Sequence, residues 1–227
     1  MFCSPYINSQ TSLKKINSFK LDIKEPSGIT VYNDHLYIVC DHSGTIYKTT
    51  LSGEIKKKIK TDYLDLEGIT IHPKTGNIII VSESKRLLIE LNSKGDLIRK
   101  TKVKGKQKHK NGGLEGLCFD VSTGFLYAVN EKSPKKLLKL TQQGELEETF
   151  KLDVSKDVSG IGVDEKTKSL WLISDESKAI INISKRGVFL KKYLIPVEKG
   201  EGIVMYDGKF YVVSDNTQEL FVLELTN

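Results

Sequence analysis

The chain has 227 residues, of which 38% are hydrophobic and 28% charged, and it carries a formal charge of +6. This is the balance of a folded globular protein, and the length fits one large all-β domain or two small ones. No run approaches the ~18 consecutive apolar residues of a membrane helix, and the lysines are scattered with no nucleic-acid recognition motif; neither a transmembrane segment nor nucleic-acid binding is expected.

Residues 1–12 lack the charged start and apolar run of a signal peptide. They read as a disordered or trimmed leader, with Cys3 either incidental or once a lipid attachment point. Leu13–Leu21, L-K-K-I-N-S-F-K-L, reads as a strand. After it, a short element recurs: E-P-S-G-I at Gly28, D-L-E-G-I at Gly68, G-L-E-G-L at Gly116, D-V-S-G-I at Gly160 and K-G-E-G-I at Gly202. The glycines lie 40, 48, 44 and 42 residues apart, the period of a four-stranded propeller blade.

Each element leads through a turn into a strongly apolar run: L-Y-I-V-C, I-I-I-V, L-Y-A-V, L-W-L-I and F-Y-V-V. Such β-branched and aromatic runs between turn residues are buried strands. A third strand, a turn such as L-S-G-E or T-Q-Q-G-E, and a more polar fourth strand complete each unit. The fifth unit ends at Asn227 without a fourth strand. The Leu13–Leu21 segment supplies it, so the ring closes and its edges are protected. The expected fold is therefore all-β: one five-bladed β-propeller over residues 13–227.

The start of each first strand and the end of each second strand share one rim. The strand starts carry Ser27, Glu67, Glu115, Ser159 and Glu201; the second-strand ends carry Asp41, Glu83, Glu131, Asp175 and Asp215. Hairpin midpoints inside the turns pair 27 with 41, 67 with 83, 115 with 131, 159 with 175 and 201 with 215, unless a bulge shifts the register. Carboxylates facing each other on a sheet repel and a crowd of them attracts cations. Ca²⁺, which takes six to eight oxygen ligands in flexible geometry, is the natural compensator. Glu67, Glu115 and Glu201, opening channel-lining strands, are its expected ligands. The other reading is a metal-free acidic channel whose carboxylates cap backbone amides or meet solvent.

The glycines are read as allowing close backbone approach near the axis; no phosphate-binding loop exists. His42, beside Asp41, is a weak candidate general base, while His35, His72 and His109 fall in turns or loops. Lys100–Lys110 forms a basic connection that explains the 48-residue spacing. Cys40 and Cys118 sit in apolar strands as small core residues.

The combination of S-G-I-T with L-Y-I-V-C-D, and of D-L-E-G-I-T with I-I-I-V-S-E, resembles the SdiA-regulated family of β-propellers over Leu13–Leu225. The resemblance implies the fold and a bacterial, extracytoplasmic setting, and it implies no defined reaction. More distantly, the pattern is similar to calcium-dependent propeller lactonases and esterases, in which a channel cation polarises a carbonyl; Glu67, Glu115 and Glu201 hold comparable places. The sequence departs from those enzymes in its five repeats and in lacking a second-strand Asn set apart from Asn130. Two functions stay open: a monomeric binding propeller that takes a metal, small molecule or protein at its acidic mouth, or a calcium-dependent hydrolase of an ester, lactone or phosphoester.

Overall fold

A computed structural model describes residues 12–105, 113–132 and 134–226. The leader with Cys3, His109 and the end of the Lys100–Lys110 connection lie outside these residues, apart from Ser12 and residues 100–105. Twenty strands and no helix occur among the described residues. In four blades the strands follow one another outward from the axis. They are β2 (Pro26–Tyr32), β3 (His35–Cys40), β4 (Thr45–Thr49) and β5 (Ile55–Lys60), then β6 (Leu66–Ile71), β7 (Ile78–Ser82), β8 (Leu87–Leu91) and β9 (Leu97–Lys102). The third blade is β10 (Leu114–Asp120), β11 (Phe125–Asn130), β12 (Lys136–Leu140) and β13 (Leu146–Lys151); the fourth is β14 (Gly160–Asp164), β15 (Ser169–Ser174), β16 (Ala179–Ile183) and β17 (Phe189–Leu194). The fifth blade is β18 (Gly200–Tyr206), β19 (Lys209–Ser214), β20 (Glu219–Thr226) and, from the other end of the chain, β1 (Ser12–Lys20). All pairs within blades are antiparallel, and β1 runs along β20 from Leu13↔Leu225 to Lys20↔Glu219. The expected closure of the ring is what the structure has.

The sequence pattern follows the layers. Second strands are sandwiched between blades and read as unbroken apolar runs; Ile38, Ile80, Ala128, Leu172 and Val212 are fully buried. Fourth strands face solvent and are correspondingly polar, with β9 (L-I-R-K-T-K) and β13 (L-E-E-T-F-K) mostly exposed or half-buried. Packing is carried by five apolar clusters, one at each interface between neighbouring blades. Each buried Ile or Leu contributes roughly 1.5–3 kcal/mol, so the ring is held by five comparable interfaces rather than one central core.

The repeated glycines meet at the axis. A Cβ on Gly28 would lie 2.9 Å from the Gly68 Cα, and one on Gly68 2.6 Å from the Glu115 carbonyl oxygen. One on Gly116 would lie 2.8 Å from the Gly160 Cα, one on Gly160 2.4 Å from the Glu201 oxygen, and one on Gly202 2.6 Å from the Ser27 oxygen. Each blade thus leans on the next through a residue that has no side chain to interpose. Between this collar and the ring Ile29, Ile69, Leu117, Ile161 and Ile203, the free volume is only about 10 Å³, too little for more than one water. The channel is pinched into two bowls: one of about 260 Å³ on the side of the strand starts and one of about 560 Å³ on the opposite side.

Candidate acidic site

The smaller bowl is where the predicted rim residues gather. Ser27, Asp41, His42, Glu67, Glu115, Glu131, Glu201 and Asp215 line it, together with Glu25 and Pro26. Ser159 and Asp175 do not and support the wall from behind, and Glu83 does not line the bowl itself but offers an oxygen within 4.8 Å of Glu115 and Glu131, which do. Ser159 hydrogen-bonds Glu201, and Asp175 accepts the Lys199 N–H at 2.8 Å.

The expected cross-strand pairs need correction. In the first blade Ile29 faces Ile38, where the assumed register needs Val39, and a shift between Pro26 and Ile29 then places Asp41 opposite Glu25. The same shift occurs at Leu66/Gly68, Leu114/Leu117 and Gly200/Gly202. Glu83 consequently donates its N–H to the Asp65 carbonyl at 2.9 Å, Glu131 to Gly113 at 3.1 Å and Asp215 to Lys199 at 3.0 Å. The fourth blade pairs without a register shift, yet Gly160 faces Ile173, so 159 and 175 are not opposite either. The hairpin turns span an even number of residues, which moves each midpoint by half a residue, and in four blades a bulge adds one more. Bulges re-aim side chains, and here they fall at Ser27, Glu67, Glu115 and Glu201, the positions that line the bowl.

Instead of five facing pairs, the acids form two trios. Asp41, Asp65 and Glu67 offer oxygens all within 4.8 Å of one another, as do Glu83, Glu115 and Glu131. Glu201 belongs to neither: its neighbours are the Ser159 hydroxyl and, at 4.0 Å, Lys199 Nζ. Sequence reasoning missed Glu25, Asp65 and Lys199, which stand two residues before the rim position and, with φ of 50°, 63° and 49°, share one left-handed kink. The signal was present: in D-L-E-G-I the Asp already stands at that offset. Asp157 takes the equivalent place in the fourth blade, 2% exposed and bonded by the Ser174 hydroxyl and the Glu176 N–H.

The second trio is the better formed. Glu83 Oε1 accepts the Gly113 N–H at 2.8 Å, and Glu131 Oε1 pairs with Lys132 Nζ at 2.8 Å, which in turn reaches Glu176. These bonds fix two carboxylates beside Glu115. Glu115, only 8% exposed, has no hydrogen bond or ion pair among the described residues. Burial, reinforced by Glu67, Glu83, Glu131 and Glu201, holds the Glu115 carboxyl well above the usual carboxylate range. Glu67 is raised for the same reasons, burial first and then Asp41 and Glu83, and burial pushes Glu201 up to about 7 despite Lys199. His42 sits outside this arrangement: its ring is 73% exposed and its Nδ1 lies 2.6 Å from Glu25 and 3.2 Å from Asp41. His72 is turned away, against Gln142 and the edge of Phe119.

The model of the SdiA-regulated family matches residues 10–223. Among solved structures, virginiamycin B lyase from Staphylococcus aureus aligns at 17% identity and a TM-score of 0.57, over 88% of this chain and 66% of that one. The chain therefore spans just under two thirds of that lyase. A luciferin-regenerating enzyme aligns at 15% identity and a TM-score of 0.56 over 96% and 95% of the two chains, and a structure of the nidogen/laminin complex at 14% and 0.65 over 87% and 74%. At these identities the likeness is one of fold alone.

Proposed function

The chain belongs to the SdiA-regulated family, and we propose that it is a binding propeller that holds a divalent cation, Ca²⁺ for preference, in its acidic bowl. Glu115 carries the reading: a buried carboxyl with no hydrogen bond or ion pair among the described residues, set between two carboxylates that are themselves held in place. A buried charge is paired, coordinated or neutralised. The donors are all hard carboxylate oxygens, which suit Ca²⁺, Mg²⁺ or Mn²⁺ rather than zinc.

Glu83, Glu115 and Glu131 would hold the ion, with Glu67 and its trio beside it. Of the three ligands expected from the sequence, Glu115 is kept at the centre, Glu67 is assigned to the adjoining trio, and Glu201 is left to bind or move a proton. A bound cation would offset the mutual repulsion of the acids and present an electropositive point to a small molecule or protein segment at the mouth.

The test is the melting temperature of chelator-stripped protein with and without millimolar Ca²⁺, since a cation that binds only the folded state raises it. We expect a clear rise that Glu115→Gln abolishes and Glu201→Gln preserves. No rise with Ca²⁺, Mg²⁺ or Mn²⁺ would discard the metal site.

One observation favours a second reading, a calcium-dependent hydrolase of an ester, lactone or phosphoester. Glu201 lines the same bowl with a pKa near 7, matched to a general base at neutral pH. The cation would supply Lewis-acid polarisation of the substrate oxygen. Turnover of such esters that depends on Ca²⁺ and is lost in a folded Glu201→Gln variant would select this reading; absence of turnover with intact Ca²⁺ binding would select the binding propeller.

A further inference from the structure

Every outer strand carries a β-bulge at the same level. The pairing with the third strand skips Lys56 in β5, Ile98 in β9, Glu147 in β13, Leu190 in β17 and Ile16 in β1. Each lies five residues before the N–H that ties its strand to the preceding turn, as Ile195 is tied to Lys178 and Leu21 to Gln218. A bulge residue is left unpaired where the strand bends, and all five are exposed on the outer wall of the ring. The outer strands of the fourth and fifth blades, β17 and β1, come into contact. Leu190 and Ile16, each 47% exposed, hold equivalent positions on this pair. Nine large hydrophobic side chains are exposed among the described residues, and five of them, Ile16, Val188, Phe189, Leu190 and Leu194, belong to β1, β17 or the turn that enters β17. Single exposed apolar residues are ordinary, but such a concentration marks an interaction surface.

The same two strands, S-L-K-K-I-N-S-F-K and F-L-K-K-Y-L, contain no acid. Lys14, Lys15, Arg186, Lys191 and Lys192 are exposed, and none makes an ion pair among the described residues. Lys185 is already held by Asp120 at 2.5 Å, and half-buried Glu224 stands opposite Lys14 on β20. The wall ends at the third blade, where β13 exposes Glu147 and Glu148. Across the ring, β9 repeats the apolar bulge with Leu97 and Ile98. There, however, Asp96 precedes the strand, Arg99 is tied to Glu90 at 2.5 Å, and acidic β13 is the neighbour.

Lysines alone blunt an edge strand against pairing, but they do not account for valine, phenylalanine and leucine exposed in a row beside them. A second copy docked symmetrically here would set five cations against five. A soluble polyanion would engage the cations and leave the apolar side chains in water. An anionic bilayer uses both, since apolar area enters the boundary between headgroups and acyl chains while cations meet the negative surface.

We propose that the outer wall of the fourth and fifth blades docks on an anionic lipid bilayer, with Ile16, Phe189 and Leu190 entering the headgroup boundary and the five cations facing lipid phosphate. The ring then stands on its side with its axis along the surface, and both bowls stay open. The proposal is independent of the cation site.

The test is co-sedimentation with vesicles of about three parts phosphatidylcholine to one of phosphatidylglycerol, in chelator so that no divalent ion bridges protein and lipid. Binding should saturate with lipid, weaken with salt and be far weaker on phosphatidylcholine alone. Lys191→Gln with Lys192→Gln should weaken it about thirtyfold, and Phe189→Ser with Leu190→Ser at least about tenfold. Lys100→Gln with Lys102→Gln removes the same charge from the opposite wall and should change it less than about twofold. Each variant should melt like the parent, and Leu190→Ser alone stands in should the serine pair not do so. Absence of binding to the mixed vesicles would overturn the proposal. Equal losses from the two lysine pairs would reduce the effect to net charge, and undiminished binding of a folded serine variant would reduce it to a polyanion contact; either result overturns the docking wall.

Discussion

Replacing Glu201 by glutamine should stabilise the cation-free protein, by an amount that grows between pH 4.5 and 7 and is constant above it. Burial takes this carboxyl from an ordinary 4.5 to about 7 in the folded chain. At 1.36 kcal/mol per pKa unit, carrying it ionised at pH 8 costs about 3 kcal/mol relative to the unfolded chain. The sign follows from proton counting. Between pH 4.5 and 7 the folded state binds more protons than the unfolded one, so stability falls as pH rises through that window and levels off above it. Glutamine keeps the shape and the Ser159 contact but never ionises. Urea unfolding in chelator should therefore show Glu201→Gln about 3 kcal/mol more stable than the parent at pH 8, and within about 0.5 kcal/mol of it at pH 4.5. For a chain of this size the gain corresponds to roughly 6–12 °C in Tm. An equal difference at both pH values, or a loss at pH 8, would show that the Glu201 carboxylate is not strained by its surroundings.

The raised carboxyls of Glu67 and Glu115 act in the same direction. A pH series of Tm in chelator should decline above the ordinary carboxylate range, and millimolar Ca²⁺ should flatten that decline. Gly116→Ala would bring a Cβ to 2.5 Å from the Ile161 nitrogen; a cost of about 1–3 kcal/mol or more is expected, and an unchanged Tm would contradict the collar. Asp157→Ala strips the buried Ser174 hydroxyl and Glu176 N–H of their acceptor, for a loss of about 2–3 kcal/mol by urea unfolding. Deleting residues 12–20 leaves β20 as an open apolar edge; size-exclusion chromatography should show loss of monomer, and a monomer of unaltered Tm would argue against closure through β1.

The architecture was legible because it is repeated. Five glycines at blade spacing, five apolar second strands and an unmatched Leu13–Leu21 segment each constrain the ring, and errors in one unit are corrected by the others. The site was legible only to the level of the rim. Which residues share it follows from strand ends, but which acids touch follows from register. A bulge of one residue at Glu67, Glu115 and Glu201 leaves no trace in composition or spacing. Asp65 was hidden for the same reason: without the bulge it sits one step too far from Glu83.

The glycine collar also sets what one side of the molecule can tell the other. Solutes have two doors but no corridor, so whatever enters the acidic bowl leaves by the same mouth. Neither bowl can be supplied, flushed or blocked through its neighbour. Yet a single strand, β6, runs from Glu67 on one side of the partition to Thr70 on the other. If the two compartments influence each other, the message must be mechanical, a tilt of inner strands passed from blade to blade where backbone rests on backbone.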